Sequence, residues 1–69
     1  MKILLKRIKD LRLSFGYSRF DLAKILWVTP ATIYRWETGK SIPRISKIIL
    51  ISKHFKVSID FLLGLSVDS

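Results

Sequence analysis

The stretch Arg19 to Thr38, RFDLAKILWVTPATIYRWET, constrains this chain more than any other. Two helix starts fall inside it, so close together that only a pair of short helices joined by a tight turn can satisfy both. Ser18 precedes the first helix, and Asp21 three residues later completes a capping-box-like pair. Leu22, Ala23 and Leu26 then recur at helical spacing on one face. Thr29 caps the second helix, and Pro30 takes its first position, where a missing N–H costs nothing. Ile33 and Trp36 give that helix a side to bury, and Gly39 stops it. Only Trp27, Val28 and Thr29 separate the two, so the helices must cross sharply. Ala23 suits such a crossing, because a close contact leaves room only for a small side chain.

Helical periodicity extends through the rest of the chain. Leu4, Leu5, Ile8, Leu11 and Phe15 mark the core face of a first helix that ends at Gly16. Residues 39–45, GKSIPRI, read as a basic connector in which Pro43 pushes Ile42 into extended geometry. A fourth helix is expected over 46–55, with Ile48, Ile51 and Phe55 inward. Ser58 and Asp60 open a short fifth, closed by Gly64. The β-branched run KIILIS is ambiguous on propensity alone, but no alternating strand pattern competes. The expectation is an all-α, compact five-helix domain with Leu11, Leu22, Leu26, Ile33, Ile51, Val57 and Leu62 in one core. It would be a single domain over 1–69, with its core within 3–64 and a frayed tail at 65–69.

Thirteen Lys and Arg against five Asp and Glu leave a formal charge of +8. So large an excess on so small a body favours a polyanionic partner, either nucleic acid or an anionic membrane surface. No apolar run approaches a transmembrane length, and the N-terminal MKILLKRIKDLR lacks a signal-peptide h-region, so a cytoplasmic protein is expected. The absence of Cys removes disulfide and thiolate chemistry, and a single His leaves no zinc site. His54 lies in an apolar helix and reads as a half-buried packing residue. Neither paired carboxylates nor a nucleophile–base set is present, so no enzyme activity and no cofactor are expected.

From Ile8 to Gly64 the chain resembles the Cro/CI-type (XRE-like) helix-turn-helix regulators related to lambdoid phage repressors. The residues that carry the resemblance are IKDLR (8–12), Ser18, Leu22–Ala23, Leu26, Val28, Thr32–Ile33, Arg35, Glu37 and Gly39–Lys40. They continue with Pro43, Ile51, Lys53, VSID (57–60) and LLG (62–64). The resemblance implies a lambda-repressor-like fold with its helix-turn-helix at 19–38, whose second helix enters the DNA major groove.

The resemblance also implies roles for individual residues. Pro30, Ala31, Tyr34 and Arg35 stand where the family approaches base edges. Arg35 is the best donor, since a guanidinium can bond O6 and N7 of guanine together. Pro30 and Ala31 offer only apolar contact, as to a thymine methyl, and Tyr34 could meet a base or a phosphate. Arg19, Thr32, Thr38 and Lys40 are phosphate candidates, and Arg44 stands where some relatives send an Arg toward the minor groove. The family usually has Gln at the position of Arg19. Arg12 and Glu37 match positions that form a structural ion pair. Trp27 stands where the family usually has Gly in a backbone of positive φ, so it must accept strain or reshape the turn. With Phe20, Ile59 and Phe61 it is a candidate protein interface. Leu13 and Ile49 add to the surplus of apolar residues at positions normally polar.

The function expected is a DNA-binding transcription regulator, a prokaryotic or phage Cro/repressor-type protein that occupies a double-stranded operator as a homodimer. Residues near Val57 to Phe61 are the expected dimer contact. One alternative is a protein-interaction module on the same fold, an antitoxin or antirepressor-like modulator binding a toxin or a repressor. A more distant alternative is a cationic membrane-active peptide, against which the three helix caps at domain spacing argue.

Overall fold

The caps read from the sequence set where helices begin. A computed structural model describes residues 2–68, Met1 and Ser69 lying outside it. Its helices are α1 (Lys2–Ser14), α2 (Arg19–Leu26), α3 (Pro30–Glu37), α4 (Ile45–Phe55) and α5 (Ile59–Leu62). The Ser18 hydroxyl accepts from the Asp21 N–H at 3.0 Å, and the Asp21 carboxylate accepts from the Ser18 N–H at 2.9 Å. That backbone bond, the Ser18 hydroxyl and nearby Lys24 hold the Asp21 carboxyl below its ordinary value. A lowered value means the stabilisation is present above the ordinary aspartate range and drains away as pH falls through the lowered one. Thr29 caps α3 through the Thr32 N–H at 3.2 Å, and Ser58 caps α5 through the Phe61 N–H at 3.0 Å.

Helix ends follow one rule. The residue just past each end donates its N–H to a carbonyl five residues back: Tyr17 to Arg12, Val28 to Ala23, Lys40 to Arg35, Val57 to Ser52 and Leu65 to Asp60. Such a closure needs a left-handed residue before the donor. Gly16, Gly39 and Gly64 supply it in three cases, but Trp27 (φ 60°) and Lys56 (φ 57°) supply it in the other two. Trp27 therefore accepts the strain and leaves the turn unaltered. Lys56, at a position no sequence signal marked, does the same. Gly64 has a second reason to lack a side chain: a Cβ there would sit 2.7 Å from Ile3 Cγ2.

Leu4, Ile8, Leu22, Leu26, Ile33, Ile51 and Leu62 are fully buried and bring all five helices to one core, with Trp36, Ile48, Phe55 and Val57 around them. KIILIS lies within α4, because Ile48, Ile51 and Phe55 at helical spacing bury together and override β-propensity. Among the described residues there is no strand. Three expectations need correction. Leu11 is only half-buried at the core margin. Phe15 lies past the end of α1, half-exposed, with its ring edge-on to Phe55 at 4.7 Å. His54 is exposed, not half-buried, and its Nε2 lies 2.9 Å from the Tyr17 hydroxyl. Of the expected frayed tail, residues 65–68 are described, and Arg7 donates to the Ser66 carbonyl at 3.1 Å.

The Trp27 turn generates a stability prediction. A left-handed non-glycine residue costs about 1–2 kcal/mol, and glycine forfeits about 0.5–1 kcal/mol of chain entropy. The indole is 84% exposed, so it returns little packing. Trp27→Gly is expected to raise stability by about 0.5–1 kcal/mol in urea unfolding. A loss of stability would contradict the strain.

Candidate nucleic-acid interface

The geometry of α3 follows from its two anchors. Ile33 and Trp36 are buried, which turns Pro30, Ala31, Tyr34 and Arg35 to the exposed side. Arg35 Nη2 donates to Thr32 Oγ1 at 3.1 Å, and that hydroxyl lies 3.0 Å from Thr29 Oγ1. The guanidinium is thus steadied along its own helix, with its remaining donors available. Thr38 Oγ1 donates its one proton to the Tyr34 carbonyl at 2.9 Å, so it would have to give up that bond to donate to a phosphate. Thr32 is half-buried.

Cations stand at both ends of this face. Arg44 occupies the N-cap position of α4 without a side-chain cap bond. With Thr32, Ile42 and Lys47 it lines an open recess of about 380 Å³ beside α3. Beyond the other end of α3, Lys2, Lys6 and Lys9 of α1 border a second recess of about 350 Å³ over Glu37, Thr38 and Gly39. Lys6 also pairs with Asp10 at 2.9 Å. The sequence reading passed over this lysine row, although its i, i+4, i+7 spacing was a legible signal. Lys40 and Arg44 are both exposed and form no ion pair among the described residues.

Behind α3 lies a cluster of three charges. Arg12 Nε donates to Glu37 Oε2 at 2.6 Å, and its Nη2 to Oε1 at 3.2 Å. Arg12 Nη1 donates to the Tyr17 carbonyl at 2.9 Å. The third member is Arg19, whose Nε reaches Glu37 Oε1 at 2.9 Å. Side-chain exposure is 1% at Glu37, 8% at Arg12 and 42% at Arg19. The Arg19 guanidinium carbon also lies 5.2 Å from the centre of the Tyr34 ring. Arg19, expected simply as a phosphate contact, is therefore tied into the frame of the helix pair. Sequence reasoning missed this link because Arg19 and Glu37 are 18 residues apart and meet only across the helix crossing.

The four residues read as a protein interface are not alike. Trp27 and Phe20 are exposed, with Lys24 Nζ 5.3 Å from the Phe20 ring centre. Ile59 and Phe61 are instead half-buried against the core, and Arg7 covers the Phe61 ring at 4.2 Å. Val57, expected near a dimer contact, is buried in the same core. Leu13 and Ile49 are exposed.

Two short capped helices, the first braced on the core and the second displaying one outward face, define the helix-turn-helix class of protein. Residues 8–62 match the helix-turn-helix family, and the chain belongs to it. A relative is the HTH-type transcriptional activator BcrR of Enterococcus faecalis, 36% identical over 59 residues that make up 86% of this chain. The chain matches 29% of the length of that relative. Among solved structures, it is similar to the P22 c2 repressor protein in complex with synthetic operator 9T. The TM-score is 0.79 at 25% identity, covering 87% of this chain and 91% of that one.

The buried charges generate a second prediction. A double-mutant cycle on Arg12 and Glu37 is expected to give a coupling energy above the ~1 kcal/mol limit of exposed pairs. Coupling indistinguishable from zero would mean that the pair does not hold α1 to α3.

Proposed function

We propose that this chain is a DNA-binding transcription regulator in which α3 reads the major groove and the cations around it hold the phosphates. The observation that carries the proposal is the two-sided build of α3. Ile33 and Trp36 lock one side, while Tyr34 and Arg35 stand exposed on the other between Arg44 and the lysine row. The +8 charge supplies the attraction to a polyanion, and the operator complex of the similar repressor supports the same reading. On this proposal Pro30 and Ala31 contact apolar base surface, Arg35 supplies the bidentate donor, and Arg19, Thr32, Thr38, Lys40 and Arg44 face phosphates or the minor groove. One short helix covers too few base pairs for genomic specificity, so two copies act on a two-fold operator, with half-site centres ~34 Å apart. Occupancy of the operator then blocks polymerase. The protein works in the cytoplasm and catalyses nothing.

A second reading rests on Trp27. A strained turn that presents its indole almost wholly to solvent fits a protein-interaction module, such as an antitoxin or antirepressor-like modulator. Selection from random duplex DNA separates the two. The DNA-reading proposal expects an enriched two-fold site bound ~10³-fold or more tightly than random sequence, with affinity falling steeply as salt rises. No enriched site, together with recovery of a toxin or repressor in a pull-down, would transfer the function to the Trp27 surface.

Within the DNA-reading proposal, Arg35→Ala is expected to cost about 1–3 kcal/mol and relax preference at one base pair. Lys40→Ala should weaken all sequences alike and reduce the salt slope by about one. Equal weakening of every sequence by both substitutions would make Arg35 a phosphate contact and refute the base-reading assignment.

A further inference from the structure

The free edge of Arg19 is the feature that the proposed function leaves unused. Its Nε is spent on Glu37 Oε1 at 2.9 Å, and its guanidinium lies over Tyr34 with its carbon 5.2 Å from the ring centre. Neither Nη nitrogen donates to protein among the described residues, and the side chain is 42% exposed. A guanidinium has two forked edges, and holding Nε on a buried carboxylate leaves the Nη–Nη edge directed away from it. That edge matches the two free oxygens of a phosphodiester. Tyr34 carries a hydroxyl and an exposed ring on the outward side of α3, and a cation within about 6 Å of its ring is attracted to the face. The Arg19 guanidinium therefore touches the helix frame through Glu37, the reading face through Tyr34, and solvent through its remaining edge.

We propose that Arg19 is a positioning residue for specificity: a DNA phosphodiester bound on its outer edge and the Tyr34 ring beneath it form one unit, coupling backbone contact to base preference. The inference rests on the DNA-reading role proposed for α3. Glu37 fixes the guanidinium before DNA arrives, so little side-chain entropy remains to be lost on binding. A phosphate at the outer edge then closes the fourth side of the guanidinium, and the ring loses its freedom to swing away. Lysine cannot substitute, because one ammonium on a flexible stem cannot keep a carboxylate, a ring face and a phosphate in fixed planar register.

The test uses the full chain and the duplex that it selects from random DNA. Base preference at every position and the salt slope are measured for the wild type, Arg19→Lys, Arg19→Gln, Tyr34→Ala and the Arg19→Gln/Tyr34→Ala pair, with thermal melting to verify folding. Arg19→Gln is expected to lower affinity about tenfold and the salt slope by about one. Arg19→Lys should keep the salt slope. Both should flatten preference at the same base pair that Tyr34→Ala flattens, and Arg19→Gln should flatten it no further once Tyr34 is gone. If both Arg19 variants bind the selected site with an unchanged preference profile, the coupling is overturned and the DNA-reading role stands. If Arg19→Gln fails to fold, Arg19→Lys alone decides, through its preference profile. A wild-type chain that enriches no site overturns both.

Discussion

The frame of the helix pair depends on a carboxylate taken almost wholly out of water. Glu37 ends α3, and its burial would be prohibitive without compensation, since an unpaired buried ion costs several kcal/mol. Arg12 from α1 and Arg19 from the start of α2 meet it, so three helices converge on one side chain. The chemistry is one-sided: two guanidiniums on one carboxylate leave the cluster net positive. An acid this close to a phosphate-binding face would otherwise repel its ligand. Held as it is, Glu37 orients α3 and spends its charge on arginines that also face outward or brace the Tyr17 turn.

Around that cluster the domain is assembled from short helices that depend on their ends. A helix of eight residues, as α2 and α3 are, has scarcely more hydrogen bonds than orphan groups, so caps decide whether it forms. Ser18, Thr29 and Ser58 satisfy the starts, and left-handed closures satisfy the ends. The conflict at Trp27 follows from this uniformity. The turn between α2 and α3 cannot relax without moving the recognition helix, so the backbone keeps its positive φ and the indole goes to solvent. Stability yields there to geometry.

Much of this was legible in the sequence, and the reasons are local. Capping residues, stop glycines and helical spacing act within a few residues, which is why the starts of α2, α3 and α5 and the core positions Leu22, Leu26, Ile33 and Ile51 could be read directly. The start of α4 is less marked, because Arg44 supplies no side-chain cap, and the helix begins at Ile45 instead of the expected Ser46. What escaped depended on distance along the chain. Arg19 meets Glu37 only once the helices cross, and Arg7 covers Phe61 only once α5 folds back on α1. Burial at the margin was also hidden. Leu11, Ile59 and Phe61 sit where a rotation of a few degrees decides between core and surface, and periodicity does not resolve that.

The outward face of α3 inherits its order from this frame. Arg35 is held along its helix by Thr32, and Arg19 across the crossing by Glu37, whereas Lys40 and Arg44 have no such restraint among the described residues. The central claim is that the buried carboxylate organises the arginines before any DNA is bound. Nitrogen relaxation of the arginine Nε–H groups in the free protein tests it most directly. Arg12 and Arg19 should show order approaching that of rigid backbone, with Arg44 far more mobile, and Glu37→Gln should loosen Arg19 toward Arg44. If Arg19 in the free wild-type protein is already as mobile as Arg44, Glu37 does not preorganise it and the claim is contradicted.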